Sequence, residues 1–309
     1  MVKDGRPKMG DGGEKTEDGR RRTESVLGLP SSVLYLKRIP GDIVKQIALL
    51  LLTVLTIFPL YFMTVNAFKT RDEFNDNLIG LSQNPVLTNF EKILQHPNLL
   101  RWFGNSILLA GGSVILCTVI AILAAYAFAQ FQFPGRDALF NLIPPLMVIP
   151  PIVMVIPMFV MFRKIGLVNN LGGPVVVYAG LMLPFTIYLL RNFFISVPKE
   201  IQEAALMDGC SSFQMLIKIY LPLSRPALVT SVVVNAVWAW NELLIALVFL
   251  QTEELRTLIV GITTSLQKRF TLDVPSLMAG LALATIPMIL LYVIGQNALV
   301  RGLVAGYDK

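Results

Sequence analysis

Charge and histidine are what this sequence has least of. Only 15% of its 309 residues are Asp, Glu, Lys or Arg, where a soluble domain carries about 25%. An ordinary soluble enzyme does not fit that balance. His96 is the sole histidine, so histidine-centred metal sites and catalytic triads have almost nothing to build on. The two cysteines, Cys117 and Cys210, make neither a disulfide framework nor a zinc site, and no metal is expected. No G-x-x-x-x-G-K-[ST] phosphate loop occurs, so ATP has to be handled elsewhere. The net charge of +6 is spread along the chain and not gathered on one face, so no nucleic-acid partner is expected. An early apolar h-region is also missing. Residues 1–43 contain the polar run GDGGEKTEDGRRR and read as a basic, largely disordered cytoplasmic tail. Within it, residues 31–38 (SSVLYLKR) are a candidate for a short helix on the membrane surface.

Long apolar runs are what the sequence has in abundance, with 54% of residues hydrophobic. A spanning helix needs about 20 mostly apolar residues, because lipid cannot satisfy an open backbone. Six stretches qualify: 46–68, 104–128, 138–162, 173–190, 227–250 and 277–299. The runs are continuous and do not alternate, which excludes a β-barrel. The expected fold is therefore all-α, a polytopic bundle of six transmembrane helices over residues 44–309 in a lipid bilayer. With a cytoplasmic N-terminus, the inside segments hold 17 Lys and Arg against 9 outside. That is the direction the positive-inside rule favours. Both termini are then cytoplasmic, although the tail supplies most of the bias.

Two spans carry signals of their own. The third reads IPPLMVIPPIVMVIPMF. Each of its prolines, Pro144, Pro145, Pro150, Pro151 and Pro157, removes a backbone donor and crowds the preceding turn, so this helix should be kinked or partly unwound. Freed carbonyls survive at that depth only against protein or water, which makes the stretch a candidate wall of a pathway; kinks that only shape the bundle are the other reading. Its methionines read as pliable packing. The fifth span holds Glu242, the one formally charged residue in any span. A carboxylate there costs about 2.5–3.5 kcal/mol on insertion scales, so it should face protein or water. With Trp240 and Asn241 it offers an aromatic face, an amide and a carboxylate, groups suited to a polyhydroxylated solute. A structural hydrogen bond to another helix is the alternative.

Between the fourth and fifth spans lies the polar segment 191–226. Ser196 is a candidate cap with Pro198 in the first turn, and Glu200 and Glu203 suit the start of a helix dipole. Gly209 is placed to close the helix at C′. Ser211 or Ser212 then opens a second helix reaching about Tyr220. The segment is expected to be a compact cytoplasmic helix pair, with Ala204 and Ala205 leaving a low surface that a partner can approach closely.

Glu203, Ala204 and Ala205, then Asp208 and Gly209, then Ile219, Leu221 and Pro222 resemble the EAA–G–I–LP signature of permease subunits of bacterial binding-protein-dependent ABC importers. The Trp-Asn-Glu at 240–242 and the ending GLVAGYDK are similar to the carbohydrate branch, the maltose-type inner-membrane permease with six spans. Cys210 departs from the alanine usual after the glycine.

The resemblance implies an ATPase-coupling loop at 191–226 and a bacterial inner-membrane location. It also implies three kinds of partner: a homologous permease, two copies of a cytoplasmic ABC ATPase, and an extracytoplasmic sugar-binding protein. ATP and Mg would reside on the ATPases, leaving no cofactor on this chain. Import of a non-sugar solute by the same machinery, or an ion-coupled secondary transporter using Glu242, are the alternative readings. A membrane enzyme would need converging acid, base or metal ligands, and none converge.

Overall fold

The computed structural model describes residues 31–268 and 271–304, with side chains over 43–266 and 273–296. Of the tail expected over residues 1–43, residues 1–30 lie outside the described residues and the remainder is helical; the terminal GLVAGYDK lies largely outside them as well. Two compact units are distinguished, Met1–Tyr61 and Phe62–Lys309. The first contains most of one long helix, Ser31–Ala67. The helical candidate at 31–38 is the start of that same helix, with no break before the apolar run.

Among the described residues the regular elements are helices, apart from a two-residue antiparallel pairing of Gln267–Lys268 with Thr271–Leu272. Among the described residues, four helices are long and apolar enough to cross a membrane: Ile43–Ala67, Leu99–Gln130, Gly172–Ile195 and Val274–Gln296. Two bent pairs bring the number of possible spans to six. Arg136–Leu146 and Pro151–Lys164 meet at 106°, and Ser212–Leu223 and Arg225–Asn241 meet at 76°.

In Phe62–Lys309, Leu99–Gln130 packs most extensively, against Gly172–Ile195. Its buried face is small: Ser113, Cys117, Ala121 and Ala125 recur every fourth residue. Small side chains let two helix backbones approach, which is how helices associate where lipid is as apolar as leucine. The other face presents Leu108, Ile115, Val119 and Leu123, all exposed as lipid-facing residues are. Deep between these two helices and Arg225–Asn241 sits a polar triad. Asn235 Nδ2 donates to Thr186 Oγ1 at 2.8 Å, and Cys117 Sγ lies 3.4 Å from the same oxygen. All three are buried.

The breaks have local causes. The third span stops at Met147–Pro150 because Pro150 and Pro151 cannot continue the hydrogen-bond ladder; Pro151 then opens the next helix at N1. The fifth span, expected to be continuous over 227–250, is interrupted. Its helix ends at Asn241, Glu242 is extended, and a short helix, Leu244–Phe249, resumes beyond Leu243. The fourth span is longer than its apolar core suggested. It runs to Ile195 and is closed by Ser196, whose Oγ donates to the Phe193 carbonyl at 2.7 Å. Ser196 therefore ends this helix and does not cap the next one, which starts at Lys199 after Pro198.

Candidate functional site

The helix pair forms around a left-handed glycine. Lys199–Met207 ends with Asp208 as its C-cap, and Gly209 follows at φ 77°. Gly209 N–H donates to Leu206 O and Cys210 N–H to Ala205 O, both at 3.0 Å. These are the two crossed bonds of a Schellman ending, where glycine takes positive φ without Cβ strain. Ser211 then opens the next helix through a capping box: its Oγ accepts from Gln214 N–H, and the Gln214 side chain accepts from Ser211 N–H. From Ser212 the chain passes through a π turn, Leu216–Tyr220, and the short helix Leu221–Leu223 into Arg225–Asn241.

The signature residues converge. Ala205 is buried, while Glu203, Ala204, Asp208, Gly209 and Pro222 are exposed and Ile219 and Leu221 are half-buried. Glu200, Ile201, Ala204, Ala205, Asp208, Cys210 and Ile219 line a shallow depression of about 450 Å³. Beside it Met207 is 89% exposed. The depression thus has a low alanine floor and an acidic rim, with exposed apolar side chains beside it.

This element is fastened to the bundle by residues that sequence reasoning did not single out. Tyr126 Oη donates to the Ser212 carbonyl at 2.8 Å. The Tyr126, Phe194 and Tyr220 rings meet edge to face, with centroids 5.1 to 6.2 Å apart. Arg191 lies over the Phe140 ring at 3.7 Å. The only sequence signal was aromatics at helix ends, which is too common to be diagnostic.

The residues proposed for a pathway are distributed differently. Pro150 and Pro151 are exposed at the break in the third span. Asn241 is exposed, and its Nδ2 donates to the Val237 carbonyl at 2.7 Å, which leaves its Oδ1 facing outward as an acceptor. Trp240 is only 5% exposed. Its Nε1 donates to Ala284 O at 3.1 Å, and its ring sits edge-on to Phe103, so the indole is taken up in helix packing. Glu242 accepts from Ile245 N–H at 2.9 Å and Ala246 N–H at 3.1 Å, and Tyr178 Oη donates to it at 2.5 Å. Tyr178 was not anticipated, since one tyrosine in an apolar span announces nothing.

A second unanticipated residue is Asn169, at φ 58°. Its Oδ1 accepts from Gln251 N–H, Thr252 N–H and Thr252 Oγ1 within 3.1 Å, and its own N–H donates to Phe249 O at 2.8 Å. The adjacent asparagines in the short loop after Gly166 were the available cue. At the same end Lys92 pairs with Asp273 at 3.0 Å. Burial pushes the Asp273 carboxyl up, but hydrogen bonds from Ser276 and Lys92 and the lysine charge more than reverse this, so it lies below the usual range.

Residues 117–304 match the family described as "Binding-protein-dependent transport system inner membrane component". A putative ABC transporter permease protein of Caldicellulosiruptor sp. is 36% identical over 83% of this chain and 93% of its own. The trehalose/maltose transport system permease protein of Thermococcus litoralis is 30% identical over 87% of this chain and 98% of its own. A solved chain from a bacterial ABC transporter involved in alginate import superposes with a TM-score of 0.72, over 84% of this chain and 96% of that one, at 24% identity. That likeness is one of fold.

Proposed function

The chain belongs to the family of binding-protein-dependent transport inner-membrane components, multi-pass transport subunits, and on that premise we propose that with a homologous permease it forms the translocation path of an ATP-driven sugar importer. The sugar class is supported by relatives whose names specify trehalose and maltose, diacetylchitobiose and arabinooligosaccharides. A mono-, di- or oligosaccharide would be delivered by an extracytoplasmic binding protein; a solved relative is described in complex with one carrying an alginate pentasaccharide. In this reading the breaks at 147–150 and 242–243 border the path, with Asn241, Pro150 and Pro151 exposed at them.

The observation that carries the proposal is the helix pair around Gly209. Its turn is closed by the Schellman ending at Gly209 and the capping box at Ser211, and it is joined to two spans, Leu99–Gln130 and Gly172–Ile195, through the Tyr126, Phe194 and Tyr220 rings. A subunit without a phosphate loop has to receive work through such an element. Two cytoplasmic ABC ATPases, carrying ATP and Mg, would dock on the depression floored by Ala204 and Ala205. The termini and Gly209 then face the cytoplasm of a bacterial inner membrane, and Asn84 and Lys268 face outward.

Gly209→Val tests this. A Cβ there meets no atom within 4 Å, so the first side-chain atom has room, and the left-handed strain costs about 1–2 kcal/mol or more for a β-branched residue. The permease should reach the membrane, yet its ATPase should fail to co-purify and substrate-stimulated turnover should be lost. Normal assembly with full stimulation would remove the helix pair as the coupling element. Uptake driven by a proton gradient without ATP would replace the importer reading with secondary transport.

A further inference from the structure

We infer that Glu242 and Tyr178 form a positioning pair that sets the break in the fifth span, and that Glu242 does so through the backbone without contacting the solute. Both carboxylate oxygens are already engaged. Oε1 accepts from Ile245 N–H at 2.9 Å, Oε2 from Ile245 N–H and Ala246 N–H at 3.1 Å each, and Oε2 also receives the Tyr178 hydroxyl. The N–H groups belong to the first turn of Leu244–Phe249, where four donors lack helical acceptors and negative charge is favoured. Ile245 and Ala246, whose N–H groups need acceptors, are themselves buried together with Phe249. Glu242 supplies them from within the chain.

Tyr178 fixes which way the carboxylate points. It is fully buried in the neighbouring Gly172–Ile195 helix, and its ring meets Trp238 edge to face at 5.3 Å. One turn of Arg225–Asn241 therefore touches the same tyrosine that holds Glu242. The pair locks the angle between the two halves of the span from both sides of the break, and the exposed residues at the break, Asn241 and Leu244, are presented in consequence. Tyr178 itself cannot reach a solute. Its effect, if any, has to come through Glu242 and the backbone.

That difference gives a readout without any sugar. The full chain is expressed with its partners, Cys117 and Cys210 are replaced by alanine, and Asn241→Cys or Leu244→Cys is introduced as a reporter. Labelling by a methanethiosulfonate reagent on open membrane fragments is timed with Tyr178→Phe, Glu242→Gln and both together. Leu100→Cys, at an exposed site distant in sequence, is the control. The pair predicts that each single change shifts labelling at 241 and 244 by about fivefold or more in the same direction, that the double change goes no further than the larger single one, and that the control stays constant. Rates unmoved by Tyr178→Phe, effects that multiply, or a control that shifts equally would each overturn it. Although the consequence for transport rests on the permease reading, failure of that reading is seen separately, as an unmutated chain that does not co-purify with an ATPase.

Discussion

The helix pair and the half-helix Leu244–Phe249 are held by different balances of apolar packing and directed bonds. Around the helix pair, the Tyr126, Phe194 and Tyr220 rings and the buried Met215, Leu216 and Ala227 form one apolar cluster, with few directed bonds across it. Around the half-helix Leu244–Phe249, Ile245, Ala246 and Phe249 also pack into an apolar cluster, but directed hydrogen bonds to the backbone are added at both ends: Glu242 at its start, Asn169 just past its end. Ring packing is spread over area and yields a rigid handle that transmits force as a body. Directed bonds onto a broken helix fix an angle, and each can be lost as a unit. An element that takes a push from a partner suits the first arrangement, and a break that sets a path suits the second.

The contrast is broken most severely at its apolar end. Tyr220→Ala removes a fully buried ring touching two others and should cost about 3–5 kcal/mol, as for large aromatic truncations in cores. Thermal unfolding of the purified subunit should fall sharply, and ATPase co-purification should fall with it. If unfolding is unchanged, the cluster is not what anchors the helix pair.

At the other end, Asn169→Ala removes the acceptor of three donors and leaves a Cβ residue at φ 58°. A loss of about 2–3 kcal/mol is expected. Asn169→Gly sharpens the point, because it loses the same bonds without the left-handed strain and should be milder by about 1 kcal/mol. Equal losses in the two variants would show that the strain is immaterial and the bonds are everything.

The smallest effect concerns the Lys92–Asp273 pair. Asp273 titrates below its ordinary value of 3.8, so its contribution is complete above that value. It is lost only as pH falls through the lower, folded-state value. Unfolding of the unmutated protein and of Asp273→Asn should therefore differ by a constant amount from pH 5 to 8 and converge in stronger acid. Convergence near neutrality would mean that the pair is not formed. The pair is partly exposed, and such pairs contribute about 1 kcal/mol or less.

Much of this was legible in the residues. The proline cluster at 144–151 announced the break in the third span, because proline's missing donor acts locally. Gly209 as the close of one helix, and Ser211 or Ser212 as the start of the next, followed from capping rules of the same short range; the structure selects Ser211. Glu242 was recognisable as costly in a span, but its partner was not. The Tyr178 hydroxyl comes from a helix 64 residues earlier in the chain, and no local pattern links the two. Trp240 illustrates the same limit: beside Asn241 and Glu242 in sequence it belongs to one motif, yet helical rotation turns it inward to the Ala284 carbonyl.

The sequence by itself determined the class, the number of apolar stretches, the site of the prolines' break and the capped helix pair, since all of these depend on composition or on contacts within about one helical turn. Only the tertiary structure decided that the fifth span is broken, that Glu242 is satisfied by Tyr178 and a helix start, and that three aromatic rings lock the helix pair to the bundle. Those depend on which faces of distant helices meet, and in a chain whose spans are apolar nearly all round, hydrophobic periodicity does not specify the meeting face. Small residues every fourth position on Leu99–Gln130 and a handful of buried polar groups do, through close approach and directed bonds that exist only once the helices have packed.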